Sequence, residues 1–197
     1  MKDTQDHTAA RDADAALLAR YAAGDGAAAR LLAARLSPRA YAHAYRVLGD
    51  GAEAEDVTQE AMLRLWKQAG NWDEGRAQAA TWLYRVVANL CTDRLRQRRT
   101  KTLDEIDAPA DPSPGVEARL QDGARHDALQ AALLRLPERQ RQAVVLRHIE
   151  GLANPEIAEI LDVGVEAVES LTARGKRALT ADLAGMRDAL GYDDETV

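Results

Sequence analysis

Residues 100–117, TKTLDEIDAPADPSPGVE, set the outer limits on what this chain can fold into. They hold three prolines, a run of carboxylates and no apolar period. Each proline fixes its φ angle and lacks an N–H donor, so neither a helix nor a central strand can run through the stretch. Such a composition makes a linker, and repulsion among its acids keeps it extended and away from other polyanions. The chain therefore divides into two parts, each of which must bury its own core. On both sides apolar residues recur with a helical period, alanine and leucine abound, phenylalanine is absent and β-branched runs are short. The expected fold class is all-α: two small helical domains joined by a flexible linker.

Residues 1–12 are polar and aperiodic, which predicts disorder. A first helix is expected over about 13–23, stopped by Gly24 and Asp25. A second, AAARLLAARL, should end near Ser37-Pro38, where Ser37 caps and Pro38 opens a third helix through Tyr41 and Tyr45 to Leu48. Gly49 is a C-terminal stop. Asp50 then caps the segment DGAEAEDVTQEAMLRLWK, with Glu53 three residues on for a capping box. On a helical wheel this segment has two unlike faces. Ala54, Thr58, Ala61, Met62 and Leu65 form the side a helix buries. Asp56, Gln59, Glu60, Leu63 and Lys67 form the other, a mixture of carboxylates, amide and exposed leucine that suits docking to a large partner.

Residues 70–80 carry two glycines and break the period, predicting a loop with an exposed Trp72. A long helix follows, about 78–99. Leu83, Val86, Val87 and Leu90 cluster on one side; Arg85, Asn89, Thr92, Arg96 and Arg99 share a stripe about 80° wide on another. Cations at a helix end complement its dipole, which accounts for Arg96 to Arg99 but not for Arg85 and Asn89 in the interior. The stripe therefore suits nucleic acid. The second domain, about 118–185, begins with a helix ending at Leu136-Pro137, and Pro137 opens the next, closed by Gly151. Asn154 should cap a short helix with Pro155 in its first turn. A tight turn, Asp162-Val163-Gly164, leads to a long final helix. Short helix, tight turn, long helix is a helix-turn-helix pattern, with Ile157, Ala158, Leu161, Val163 and Val168 as its small core. Residues 186–197 make a frayed tail.

The net charge of −6 argues against nucleic acid only if charge is evenly spread. Here Arg94, Arg96, Arg98, Arg99 and Lys101 form a basic block just ahead of Asp104, Glu105, Asp107, Asp111 and Glu117, so a local DNA footprint on an acidic chain is possible. No apolar run approaches the roughly 20 residues of a membrane span, and the first residues are too polar for a signal peptide. A cytoplasmic protein with no membrane insertion of its own is expected. Cys91 is the single cysteine and is expected to be packed rather than reactive. His7, His43, His126 and His148 are scattered without ligand spacing, and no nucleophile–base pair or phosphate-binding glycine loop appears. No metal, cofactor or catalytic residue is expected.

The segments AEDVTQEAMLRLW, TWLYRVVANLCTDRLRQRR, LPERQRQAVVLRHIEGLANPEIAEIL and VESLTARGKRAL resemble, in order and spacing, the extracytoplasmic-function sigma factors, small two-domain specificity subunits of bacterial RNA polymerase. The resemblance covers about residues 14–183. It implies that residues 13–99 are a region 2 domain and 118–185 a region 4 domain, and that the chain directs promoter-specific initiation. Asp56, Gln59, Glu60 and Leu63 would dock on the clamp helices of the largest polymerase subunit, and the second domain would meet the flap of the second-largest. Trp72, Arg85, Asn89, Thr92, Arg96 and Arg99 would contact and open the minus-ten element, with bases stacked on the aromatic and phosphates held by arginines. Trp82 beside them is assigned to the core, and Asp93 to holding Arg96 or Arg85.

The last helix would read the minus-thirty-five element through Ser170, Arg174, Lys176 and Arg177. Here the chain departs from the family pattern: Glu166, Ala167 and Glu169 stand where glycine, threonine and a basic residue are usual, Leu171 where arginine is frequent, and Asp162 replaces a turn glycine. Weak upstream affinity, or an unusual element, is implied. An anti-sigma factor is a further implied partner. The rival readings are a sigma mimic that binds an anti-sigma factor without touching a promoter, favoured by the acidic final helix alone, and an enzyme or metal protein built on Glu55, Asp56 and Glu60, which lack nearby histidines.

Overall fold

A computed structural model describes residues 13–72, 78–104 and 120–184, side chains excepted at 101–104 and 120–125. Every element among them is helical: α1 (13–22), α2 (Gly26–Leu48), α3 (Gly51–Ala69), α4 (Ala79–Asp104), α5 (Leu120–Arg135), α6 (Glu138–Val144), a π-turn over Val145–Ile149, α7 (Asn154–Leu161) and α8 (Val165–Ala184). The expected disorder at 1–12, most of the linker and the tail lie outside the described residues. Helix α4 runs five residues past the expected end at 99.

The first module buries one contiguous core. Leu32, Leu36, Ala40, Ala44 and Val47 of α2 meet Ala54, Val57, Ala61 and Leu65 of α3 and Leu83, Val87 and Cys91 of α4. Each leucine- or valine-sized side chain removed from water is worth about 1.5–3 kcal/mol. That total explains the main departure from expectation. Ser37-Pro38 does not separate two helices; α2 is continuous with Pro38 inside it. The proline forfeits one backbone bond at a cost of about 3 kcal/mol, whereas Leu32, Leu36, Ala40 and Ala44 on the same helix face all reach the core.

The other ends follow the sequence more closely. Gly24 (φ +96°) and Gly49 (φ +71°) occupy left-handed backbone that a β-carbon would strain. The Asp50 side chain accepts from the Glu53 N–H at 2.9 Å. The Glu53 carboxylate faces Arg98 at 2.9 Å, joining α3 to α4. At α7 the expected Asn154 cap is displaced by one position: Ala153 is the cap residue, and its N–H donates to the Glu156 carboxylate at 2.9 Å. Asp162 takes the left-handed turn conformation (φ +52°).

The second module has two small clusters. One joins Ala132 and Leu133 of α5, and Leu136 just beyond it, to Val144, Val145 and Leu179. Here α6 and α8 approach closely: a β-carbon on Gly175 would lie 2.5 Å from Val144 Cγ2 and 3.3 Å from the Gln140 carbonyl oxygen. The other is the helix-turn-helix core of Ile157, Ala158 and Val168 with Leu161 and Val163 packed against it, as the sequence predicts. It is not confined to the second module: Tyr84 and Ala88 of α4 are part of it. The two modules are packed together.

Candidate functional site

Three polar faces are built on this frame. On α3 the buried side comprises Ala54, Val57, Thr58, Ala61, Met62 and Leu65. The opposite side exposes Asp56, Gln59 and Leu63, with Glu60 half-buried, and Leu63 keeps 51% of its surface in water. Its carboxylates have cationic neighbours. Glu60 accepts from Arg64 at 2.8 Å, a bond that lowers the Glu60 pKa, and Asp56 faces Arg94 at 3.5 Å. Alongside runs a groove of about 430 Å³ between α2 and α3, lined by Ser37, Pro38, Tyr41, Thr58, Gln59 and Met62 among others. Pro38, which cannot bond to the preceding turn, thus borders the exposed face of α3.

On α4 the basic residues split by role. Arg94 and Arg98 turn toward α3: Arg98 pairs with Glu53 and donates to the Leu48 carbonyl oxygen at 3.1 Å. Arg85, Asn89, Arg96 and Arg99 stay exposed on the expected stripe, with Thr92 half-buried among them. Among the described residues no ion pair engages Arg85 or Arg96, and none joins Asp93 to either of them. Trp72 differs from the sequence expectation of an exposed ring. It is half-buried against the core, edge-on to Trp82 with centroids 5.8 Å apart. A loop aromatic next to a second indole gains more by packing than by exposure. The site retains one edge of the pair rather than a free ring.

On α8 Arg174, Lys176 and Arg177 are exposed and Ser170 is half-buried. Ser170, Arg174 and Arg177 fall within about 60° of one another on the helix, and Lys176 lies about 120° away. Lys176 instead shares a pocket of about 250 Å³ with Arg147, His148, Asn154, Glu169 and Thr172. Partial burial, then Lys176 and Arg147, lower the His148 pKa. Arg147 and His148 escaped the sequence reading because the π-turn rotates the chain between α6 and Gly151, and no local pattern announces a π-turn. Among the described residues no group of histidine, cysteine and acidic side chains could hold a metal ion. No helix is long and apolar enough to cross a membrane, again among the described residues.

An all-helical pair of modules, one with a cationic helix stripe and the other with a helix-turn-helix, defines a class of nucleic-acid-binding transcription proteins. Comparison with known proteins narrows the class. Residues 32–101 match the Sigma-70 region 2 family and residues 126–179 the Sigma-70 region 4 family. The sigma factor SigW of Bacillus subtilis is 33% identical over 156 residues, covering 73% of this chain and 82% of the relative. SigM of Mycobacterium tuberculosis is 35% identical over 175 residues, 87% and 85% of the two chains. In structure, CnrH in complex with the cytosolic domain of CnrY is similar with a TM-score of 0.65 at 29% identity, over 88% of this chain and 98% of that one. The RpoE of Bartonella quintana, solved with the anti-sigma factor NepR, shares the fold with a TM-score of 0.63 at 21% identity, over 79% and 96%. The chain belongs to the extracytoplasmic-function family of RNA polymerase sigma factors.

Proposed function

We propose that this sigma factor docks on core polymerase through the α3 face of Asp56, Gln59, Glu60 and Leu63, against the clamp helices of the largest subunit, with the second module on the flap of the second-largest. The α4 stripe of Arg85, Asn89, Thr92, Arg96 and Arg99, with the Trp72–Trp82 edge, opens the minus-ten element. Ser170, Arg174 and Arg177 read base edges of the minus-thirty-five element, and Lys176, with Arg147 and His148, meets the flanking phosphates. An anti-sigma factor restrains the protein; in support, the similar RpoE was solved in complex with the anti-sigma factor NepR and CnrH in complex with the cytosolic domain of CnrY. The protein acts in the cytoplasm and performs no catalysis itself.

The observation that carries this reading is the sorting of the α4 arginines: Arg94 and Arg98 tie α4 to α3, while Arg85 and Arg96 lie with Asn89 on one outward stripe, on which Arg99 stays exposed although Glu138 approaches it at 3.6 Å. Run-off transcription tests the whole. Purified protein with core polymerase should initiate from a cognate promoter, and Asp56→Arg with Glu60→Arg should abolish both initiation and core pull-down with the helical content unchanged. Activity undiminished in that double variant would remove the docking assignment. A protein that binds core but initiates from no promoter would be a mimic.

A further inference from the structure

Helix α8 buries Val168, Thr172, Gly175 and Leu179, and this fixes which way the rest of it faces. Gly175 seats the helix against Val144, and the Thr172 hydroxyl turns inward, donating to the Val168 carbonyl oxygen at 2.6 Å. On a helical wheel Glu166, Ser170, Arg174 and Arg177 all lie within about 50° of the direction opposite the buried side. Glu169 lies about 90° from that direction. Of the two carboxylates in the first two turns, one therefore stands on the outward surface and the other at its edge. Their surroundings differ accordingly. Glu169 lines the pocket of about 250 Å³ with Arg147, His148 and Lys176, whose charges offset its own. Glu166 is exposed, and among the described residues no hydrogen bond or ion pair engages its carboxylate.

An acid in the first turn complements the helix dipole, and for that purpose its direction round the helix is immaterial. Glu166 shares its side with Arg174 and Arg177, and there a bare carboxylate is repelled by the phosphates of an approaching duplex. Only a donor on a base edge offsets that repulsion. In the major groove guanine presents two acceptors, thymine an acceptor and a methyl group, and adenine a donor beside an acceptor. Cytosine presents a donor alone. Its paired guanine suits an arginine, and two arginines share the face. We infer that Glu166 is a specificity-determining residue of the upstream site: its carboxylate accepts from the N4 amino group of a cytosine, so the minus-thirty-five element bound by this chain carries a C·G pair facing the first turn of α8. This deepens the proposed function and rests on its assignment of α8 to that element.

The test offers duplex DNA of random sequence to the full chain assembled with core polymerase, and sequences the molecules retained. Glu166→Ala and Glu166→Gln are treated in the same way. The parent should enrich an upstream motif with a fixed cytosine. Glu166→Ala should keep the rest of that motif and lose the preference at this one pair. Glutamine bonds to N6 and N7 of adenine, so Glu166→Gln should move the preference to adenine. Titrations with the selected duplex then give the size of the effect: replacing this C·G by T·A should weaken the parent about tenfold or more and leave Glu166→Ala nearly unchanged. A parent motif without such a cytosine overturns the inference. So does a Glu166→Ala protein that selects the parent's motif unaltered, because the carboxylate then acts only on the phosphates or the helix dipole. Should Glu166→Ala lose the whole motif, Glu166→Gln, which keeps the size of the side chain, decides: an unshifted base at that pair overturns the inference. A parent that enriches no upstream motif removes the assignment of α8 itself, and this inference with it.

Discussion

His43 is wholly buried on α2, edge-on to Tyr84 at 5.7 Å, and neither ring nitrogen has a hydrogen-bond partner. Burial, and to a lesser degree Arg46, push its pKa down to about 3. The unfolded chain takes up the proton first, so this contribution to stability is complete above about pH 6.5 and declines as pH falls toward 3. Urea unfolding should therefore lose about 1.4 kcal/mol per pH unit below pH 6.5, and His43→Leu should flatten that slope; an equal slope in the variant would refute the assignment. On α8, Arg174→Ala should cost about 1–3 kcal/mol at one base pair and relax its specificity. Lys176→Ala should weaken binding to all sequences alike and reduce the salt slope by about one ion. Titrations of matched and mismatched duplexes at several salt concentrations separate the two. The sequence favours Arg174 among the candidate contacts but gives Lys176 no separate role. Only the separation of about 160° between them on the helix, with Arg147 and His148 beside Lys176, supports giving them different roles.

Helix identity was legible wherever one face is apolar. The stripe on α3, the cap at Asp50, the stop at Gly49 and the left-handed Asp162 all follow from local chemistry. Continuity was not legible: Pro38 is a break by local rules, and only the burial of Leu32, Leu36 and Ala40 on both sides of it keeps α2 whole. Nor was the spacing of helices. Gly175 sits mid-helix, where local rules make it a defect, yet α6 passes too near for any larger residue. Gly175→Val should destabilise the second module by about 1–3 kcal/mol through overpacking, seen as a lowered thermal midpoint, whereas Ala178→Val on the exposed side of the same helix should change it far less. Equal effects at the two positions would show that propensity, not contact with Val144, governs the glycine.

At the scale of the molecule, composition and the proline-rich stretch predicted two modules correctly but gave no sign that they dock on each other. Tyr84 and Ala88 look like ordinary core residues of the first helix bundle, and Gln142 and Glu150 like ordinary surface. Docking couples the modules thermodynamically. Trp66, Trp72 and Trp82 all belong to the first module, so fluorescence follows that module while far-ultraviolet ellipticity follows both. The two probes should give coincident thermal transitions in the intact chain and separate ones after Tyr84→Phe with Glu150→Ala, which removes the hydrogen bond between those side chains; separation already in the parent protein would exclude coupling. A last consequence comes from Arg141, whose guanidinium is buried at the joint and lends a bond to the end of α2. Hydrocarbon torn from a core is left stranded in water, but a cation released from an interior is welcomed by solvent. The seam between the halves therefore carries, in its own chemistry, a partial refund for being unsealed.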